Sequence, residues 1–166
     1  MSTLHFEDRL AAAVSQRESG DVESARAMLL ELQAERPDDA TVNLQCAWVH
    51  DKLGLETEAV PFYERALEIG LQGPPLESAL LGLGSTYRAL GEYEKAVSTL
   101  QRGVESFPDR RSMKVFLAMA LYNNGRAKEA CETLLRIISE TTNDPDIIAY
   151  KNAIDTYAAD LDRSWA

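Results

Sequence analysis

Apolar side chains recur along this chain with the spacing of one helical face, and short polar turns interrupt them at near-regular intervals. Between Val22 and Pro37 the face consists of Val22, Ala25, Met28, Leu29 and Leu32, the signature of an amphipathic helix. Ala59, Tyr63, Ala66 and Leu67 form a second such face, and Ala130, Leu134 and Ile138 a third. Pro37 stops the helix before it. Pro61 falls in a helix's second turn, where a slight irregularity is expected. Gly73-Pro74-Pro75-Leu76 reads as a lengthened connector whose prolines open the next helix. Near the end, Asp144-Pro145 pairs an N-cap with proline at the first helical position. A final helix follows, with Ile147, Ile148, Ile154, Tyr157 and Leu161 on one side and Asn152, Asp155, Ala159 and Asp160 on the other. The pattern predicts about nine helices of roughly 12–16 residues, each too short to be stable alone in water. Their stability must come from packing on one another.

The punctuation is periodic. Gly20, Gly54, Gly91 and Gly125 are spaced by 34, 37 and 34 residues, and each is followed five positions later by alanine: Ala25, Ala59, Ala96 and Ala130. Glycine suits a helix C-terminus because it adopts a left-handed backbone without a Cβ penalty. Alanine suits the point where two helices of a hairpin pass closest. The fullest copy runs from Leu83 to Pro108, with Gly84, Tyr87, Gly91, Tyr93, Ala96 and Pro108. That arrangement resembles the tetratricopeptide repeat (TPR), a helix–turn–helix unit, and the chain is similar to small stand-alone bacterial TPR proteins. The resemblance implies an all-α, right-handed superhelical solenoid in a single domain. Its four repeats would occupy about 6–39, 40–73, 77–110 and 111–144, with a capping helix over 145–162. The first repeat, with Leu4, Phe6, Leu10, Ala13 and Val14 in its first helix, departs most from the pattern, as a terminal repeat does. The three-residue surplus falls at Gly73–Leu76, where a longer loop is expected.

In TPR proteins the first helices line a concave groove and the second helices form the outer wall. Carried over by the glycine register, the groove positions hold Leu10, Leu44, Leu81 and Val115; Val14, Trp48, Ser85 and Met119; Arg17, Asp51, Arg88 and Tyr122; and Glu18, Lys52, Ala89 and Asn123. Phe116 and Tyr150 join the rim. Trp48, Ser85, Arg88, Phe116, Met119 and Tyr122 are the candidate partner-binding residues. Trp48, expected to face the small Gly82 and Ser85, serves with Met119 and Tyr122 either as packing or as a floor for an extended peptide or helix. Arg17, Asp51 and Arg88 alternate in sign: either a ladder of weak ion pairs, or a setting in which Arg88 beside Tyr122 takes an acidic group. The positions at which chaperone-binding relatives clamp a C-terminal carboxylate hold Leu10, Val14, Gln45, Ser78 and Gly82, so an EEVD-type tail is not expected.

A net charge of −10 argues against nucleic acid and against anionic membrane surfaces. Acids such as Glu31, Glu64, Glu105 and Glu129 gather on second helices, as a solvated wall would. No apolar run approaches a transmembrane length, and the early acids of MSTLHFEDRLAAA do not suit an export signal, so a cytoplasmic location is expected. Cys46 and Cys131 read as core thiols, without disulfide or zinc. His5 and His50 lack a fixed acid or nucleophile, and no GxSxG, P-loop or HExxH is present. Neither enzymatic activity nor a cofactor is expected. The leading function is a binding module for a protein or peptide. The alternative is a homo-oligomer, such as a homodimer, whose groove or open end is filled by another copy. Trp165 would be either the plug or a residue packed back on the cap helix.

Overall fold

The computed structural model describes residues 5–164; the expectations placed on Leu4 and Trp165 lie outside them. The described residues form ten α-helices and no strand. They fall into two compact units, one up to Gly91 and one from Glu92.

The first unit holds α1 (Phe6–Ser19), α2 (Val22–Glu35), α3 (Ala40–Lys52), α4 (Glu56–Ile69) and α5 (Gly73–Ala89). Helices α1 and α2 form one hairpin, α3 and α4 a second, and α5 packs on α4. The turn glycines behave as the pattern requires: Gly20 has φ 99° and Gly54 φ 70°, a region costly for any residue with a Cβ. Asp39 caps α3 by accepting from Val42 N at 3.0 Å. Ala25 and Ala59 are fully buried at the hairpin crossings, with Leu29, Leu32, Val42 and Val49 around them. Phe6 is also buried, under the Arg36 guanidinium at 3.6 Å from its ring centroid.

Helix α4 continues through Pro61, held by the burial of Ala59, Tyr63 and Ala66 on the same helix. One expectation changes here. The surplus residues lengthen no loop; they extend α5 to 17 residues, starting at Gly73 with proline in its first turn, where no N–H donor is needed.

The second unit holds α6 (Tyr93–Ser106), α7 (Arg111–Asn123), α8 (Ala127–Thr141), α9 (Pro145–Ala149) and α10 (Lys151–Tyr157). Helix α7 packs on both α6 and α8, and α10 packs on α8. Ala96, Leu100, Met113 and Ala120 form its buried interior. Gly103 lies under Met113, whose sulfur a Cβ there would meet at 2.6 Å.

The terminal segment differs from expectation. Instead of one helix over 145–162 there are two short ones, separated at Tyr150. Polar anchors set the second: Lys151 donates to Ser139 O at 2.6 Å and Ser139 Oγ at 2.8 Å, and Ser139 donates to Asp155. Asp155, expected on the outer side, therefore faces α8. Ile148, Tyr157 and Leu161 stay exposed, as do Leu134 and Ile138, expected on the inner face of α8. Helices of five and seven residues cover too little of α8 to bury them.

Candidate functional site

In the first unit, α1 and α3 pack against one another, and each ends at a left-handed glycine turn, Gly20 and Gly54. Lys52 Nζ donates to Arg17 O at 3.1 Å, tying the two ends together. Arg17 lays its guanidinium over the Trp48 ring, 5.2 Å from the centroid, an arrangement that contributes roughly 0.5–2 kcal/mol. Trp48 is half-buried. Beside it opens a pocket of about 400 Å³ lined by Arg17, Trp48, Asp51 and Lys52.

Asp51 forms the floor of this site and is fully engaged. It accepts from Tyr63 Oη at 2.6 Å and from Thr86 Oγ1 at 3.0 and 3.2 Å. Thr86 also lies 2.9 Å from Gly82 O, so its single hydroxyl hydrogen is shared between two acceptors. Burial raises the Asp51 carboxyl above the usual range; the two hydroxyls pull it back, and Glu56 adds to the rise. Burial, with the bond to Asp51, also pushes the Tyr63 phenol up. Asp51 therefore joins α3, α4 and α5, and a rung from Arg17 to Asp51 is not what holds them. Arg17 instead lies 3.4 Å from Glu18 on its own helix.

Gly82 does not leave room beside Trp48. A Cβ there would come within 2.6 Å of Tyr63 Cζ, and closer still to its hydroxyl. The space belongs to Tyr63, which delivers its hydroxyl to Asp51 across the glycine.

Buried polar atoms without a hydrogen-bond partner, among the described residues, are Arg17 Nε, Gln16 Oε1 and Gln45 Oε1. All three belong to α1 and α3. Such groups cost about 1–3 kcal/mol each when left unmet.

His50 has no such deficit. Arg26 Nε donates to its Nε2 at 3.1 Å, which places the ring's own proton on Nδ1, donated to Cys46 O at 2.7 Å. The ring stacks on Phe62 at 5.0 Å. Both nitrogens are occupied, so this histidine holds the hairpins together. Cys46 is buried, and burial pushes its thiol up to about 12. Cys131, expected in the core, is exposed because it faces outward on α8.

The sequence-derived candidates divide between the units. Trp48, Ser85 and Arg88 belong to the first, Ser85 and Arg88 both half-buried on α5. Phe116, Met119 and Tyr122 belong to the second, on α7; the first two are half-buried and Tyr122 is 67% exposed. The spacing before the turn glycine placed Arg17 and Lys52 in register with the groove, but their convergence on Trp48 depends on how α1 and α3 pack. Among the described residues, no cluster of three or more His, Cys, Asp or Glu is placed to hold a metal ion.

A family model described as Tetratrico peptide repeat matches residues 40–161. The chain belongs to that family. TPR hairpins account for the helix pairs and for the left-handed glycines between them. Solved structures agree on the fold. YrrB, a TPR protein with an unusual peptide-binding site, is 22% identical with a TM-score of 0.73, covering 94% of this chain and 78% of that one. MamA from Desulfovibrio magneticus RS-1 is 18% identical with a TM-score of 0.73, covering 81% of this chain and 74% of its own. Human Protein O-mannosyl-transferase TMTC1 is 32% identical over 103 residues, 62% of this chain. This chain spans only 11% of that protein. In TPR terms, Arg17, Trp48, Asp51 and Lys52 all stand on first helices of consecutive repeats.

Proposed function

We propose that this TPR chain is a binding module that takes an extended peptide or a helix of a partner protein along the first helices of its repeats. Trp48 anchors the partner in the first unit, with Ser85 and Arg88 on the neighbouring first helix. Phe116, Met119 and Tyr122 form the corresponding set in the second. The observation that carries this reading is the half-buried Trp48 beside an open pocket of about 400 Å³. A large, half-buried ring bordering open space is the kind of residue that dominates binding energy. The peptide-binding site of YrrB, a structural neighbour, is consistent with it. A scaffold role rather than catalysis fits the family, and the occupied nitrogens of His50 offer no general base. The net charge of −10 favours a protein partner over nucleic acid. Free Cys46 and Cys131 suit the reducing cytoplasm.

The test is partner capture by wild type, Trp48→Ala and Tyr122→Ala, alongside urea unfolding. Both variants are expected to lose capture; Tyr122→Ala should unfold at nearly the wild-type midpoint, and Trp48→Ala should lose no more than the roughly 0.5–2 kcal/mol of its stack with Arg17. Loss of stability in proportion to lost capture would make these residues packing elements and end the proposal.

A second reading, self-association, is favoured by the exposed Leu134, Ile138, Ile148, Tyr150 and Tyr157 in the second unit. Another copy could cover that apolar surface. Light scattering at high micromolar concentration decides it: a monomer rules this reading out.

A further inference from the structure

We infer that the Trp48 pocket recognises an acidic side chain, Asp or Glu, within the partner's extended segment. The inference rests on the groove-binding reading above and names the partner chemistry of that site. Three observations support it. Arg17 and Lys52 place two cations on the pocket wall in a protein whose overall charge is −10. The pocket's own carboxylate, Asp51, offsets one of these charges and leaves one in excess, and its oxygens accept from Tyr63 and Thr86 rather than from either cation.

The third observation is the state of Arg17 itself. Its side chain is only 13% exposed, and its Nε–H is buried without an acceptor. The carboxylate paired with it, Glu18, is 3.4 Å away from Nη2, and that side chain is 66% exposed. Stacking on Trp48 fixes the guanidinium plane, and the bond from Lys52 to Arg17 O fixes the ammonium beside it. A planar carboxylate accepts from such a fork in two parallel bonds, while the Trp48 ring takes the adjoining methylene carbons. The occupant is an internal side chain. Positions that hold a C-terminal carboxylate in chaperone-binding relatives carry Leu10, Val14, Gln45, Ser78 and Gly82, which supply no cation.

The experiment is selection from a display library of random dodecapeptides flanked on both sides, so that no free C-terminus is offered. The baits are wild type, Lys52→Gln, Arg17→Gln and Trp48→Ala, each confirmed folded by circular dichroism. Wild type is expected to enrich sequences with a fixed Asp or Glu. A synthetic enriched peptide should bind at least about tenfold more tightly than its twin with Gln or Asn in place of the acid, the range expected for hydrogen bonds to a charged group. In Lys52→Gln and Arg17→Gln that ratio should fall toward one. Lys52 is exposed, so its variant keeps the test valid if Arg17→Gln unfolds.

Enriched peptides without an acid, or an unchanged ratio in both variants, overturn acid recognition; the groove reading survives if Trp48→Ala still abolishes binding. Binding that requires a free C-terminal carboxylate also overturns it. No enrichment by wild type over Trp48→Ala overturns both.

Discussion

Replacing Gly82 by alanine separates helix propensity from tertiary packing, because the two predict opposite signs. Within a helix, Gly→Ala alone stabilises by about 1 kcal/mol. Here the added Cβ would stand 2.6 Å from Tyr63 Cζ. Tyr63 is 1% exposed, and its hydroxyl is held by Asp51 at 2.6 Å, so the ring cannot swing aside without losing that bond. Overpacking of a close contact costs about 1–3 kcal/mol, and a lost hydrogen bond to a charged group about 1.5–3 kcal/mol. Set against the propensity gain, the net expectation is a loss of about 1.5–5 kcal/mol. For a chain of this size that lowers the melting temperature by roughly 3–20 °C. The assay is urea and thermal unfolding followed by circular dichroism, with Gly103→Ala as the comparison. A Cβ at Gly103 meets the Met113 thioether at 2.6 Å, and methionine repacks readily, so that variant should lose less than half as much. A Gly82→Ala protein as stable as wild type, or more so, would refute the packing of Tyr63 across Gly82.

Other outcomes follow from the same geometry. Native protein should react with a thiol reagent at Cys131 alone, because Cys46 is buried with its thiol raised to about 12; fast native labelling of both would contradict the fold around α3. His50→Ala should cost about 2–4 kcal/mol in urea unfolding, since it removes the ring stacked on Phe62 and strands Arg26 Nε. Asp51 titrates above its ordinary value of 3.8 in the folded protein, so the folded state binds its proton more tightly than the unfolded state. Its contribution is most favourable below pH 3.8 and declines as pH rises from there through its folded pKa. Asp51→Asn should therefore gain on wild type as the pH of urea melts is raised across that window, and a gap that moves the other way would contradict the assignment.

The sequence was informative wherever backbone geometry decides the residue. Gly20, Gly54, Gly91 and Gly125 all have positive φ, and Ala25, Ala59, Ala96 and Ala130 are all buried. Those constraints are local, or repeat identically, and so leave a register. The register also placed Arg17, Trp48, Asp51 and Lys52 on first helices. It could not tell that Tyr63, from a second helix, fills the space over Gly82, because reaching across a hairpin depends on rotamer and packing. The terminal segment misled for a similar reason. Ile147, Ile148, Ile154, Tyr157 and Leu161 have helical spacing, but Lys151, Ser139 and Asp155 determine where α10 sits. Periodicity reports a face; it does not report whether anything covers it, as Leu134 and Ile138 show.

The binding account is tested most directly by mapping where a selected peptide sits, by titrating it into isotopically labelled protein and following amide and indole resonances. The account predicts that the Trp48 indole N–H and the amides around Arg17 and Lys52 move, while those of Glu31 and Glu64 on the second helices stay fixed. Shifts confined to the second helices, with Trp48 unmoved, would contradict it.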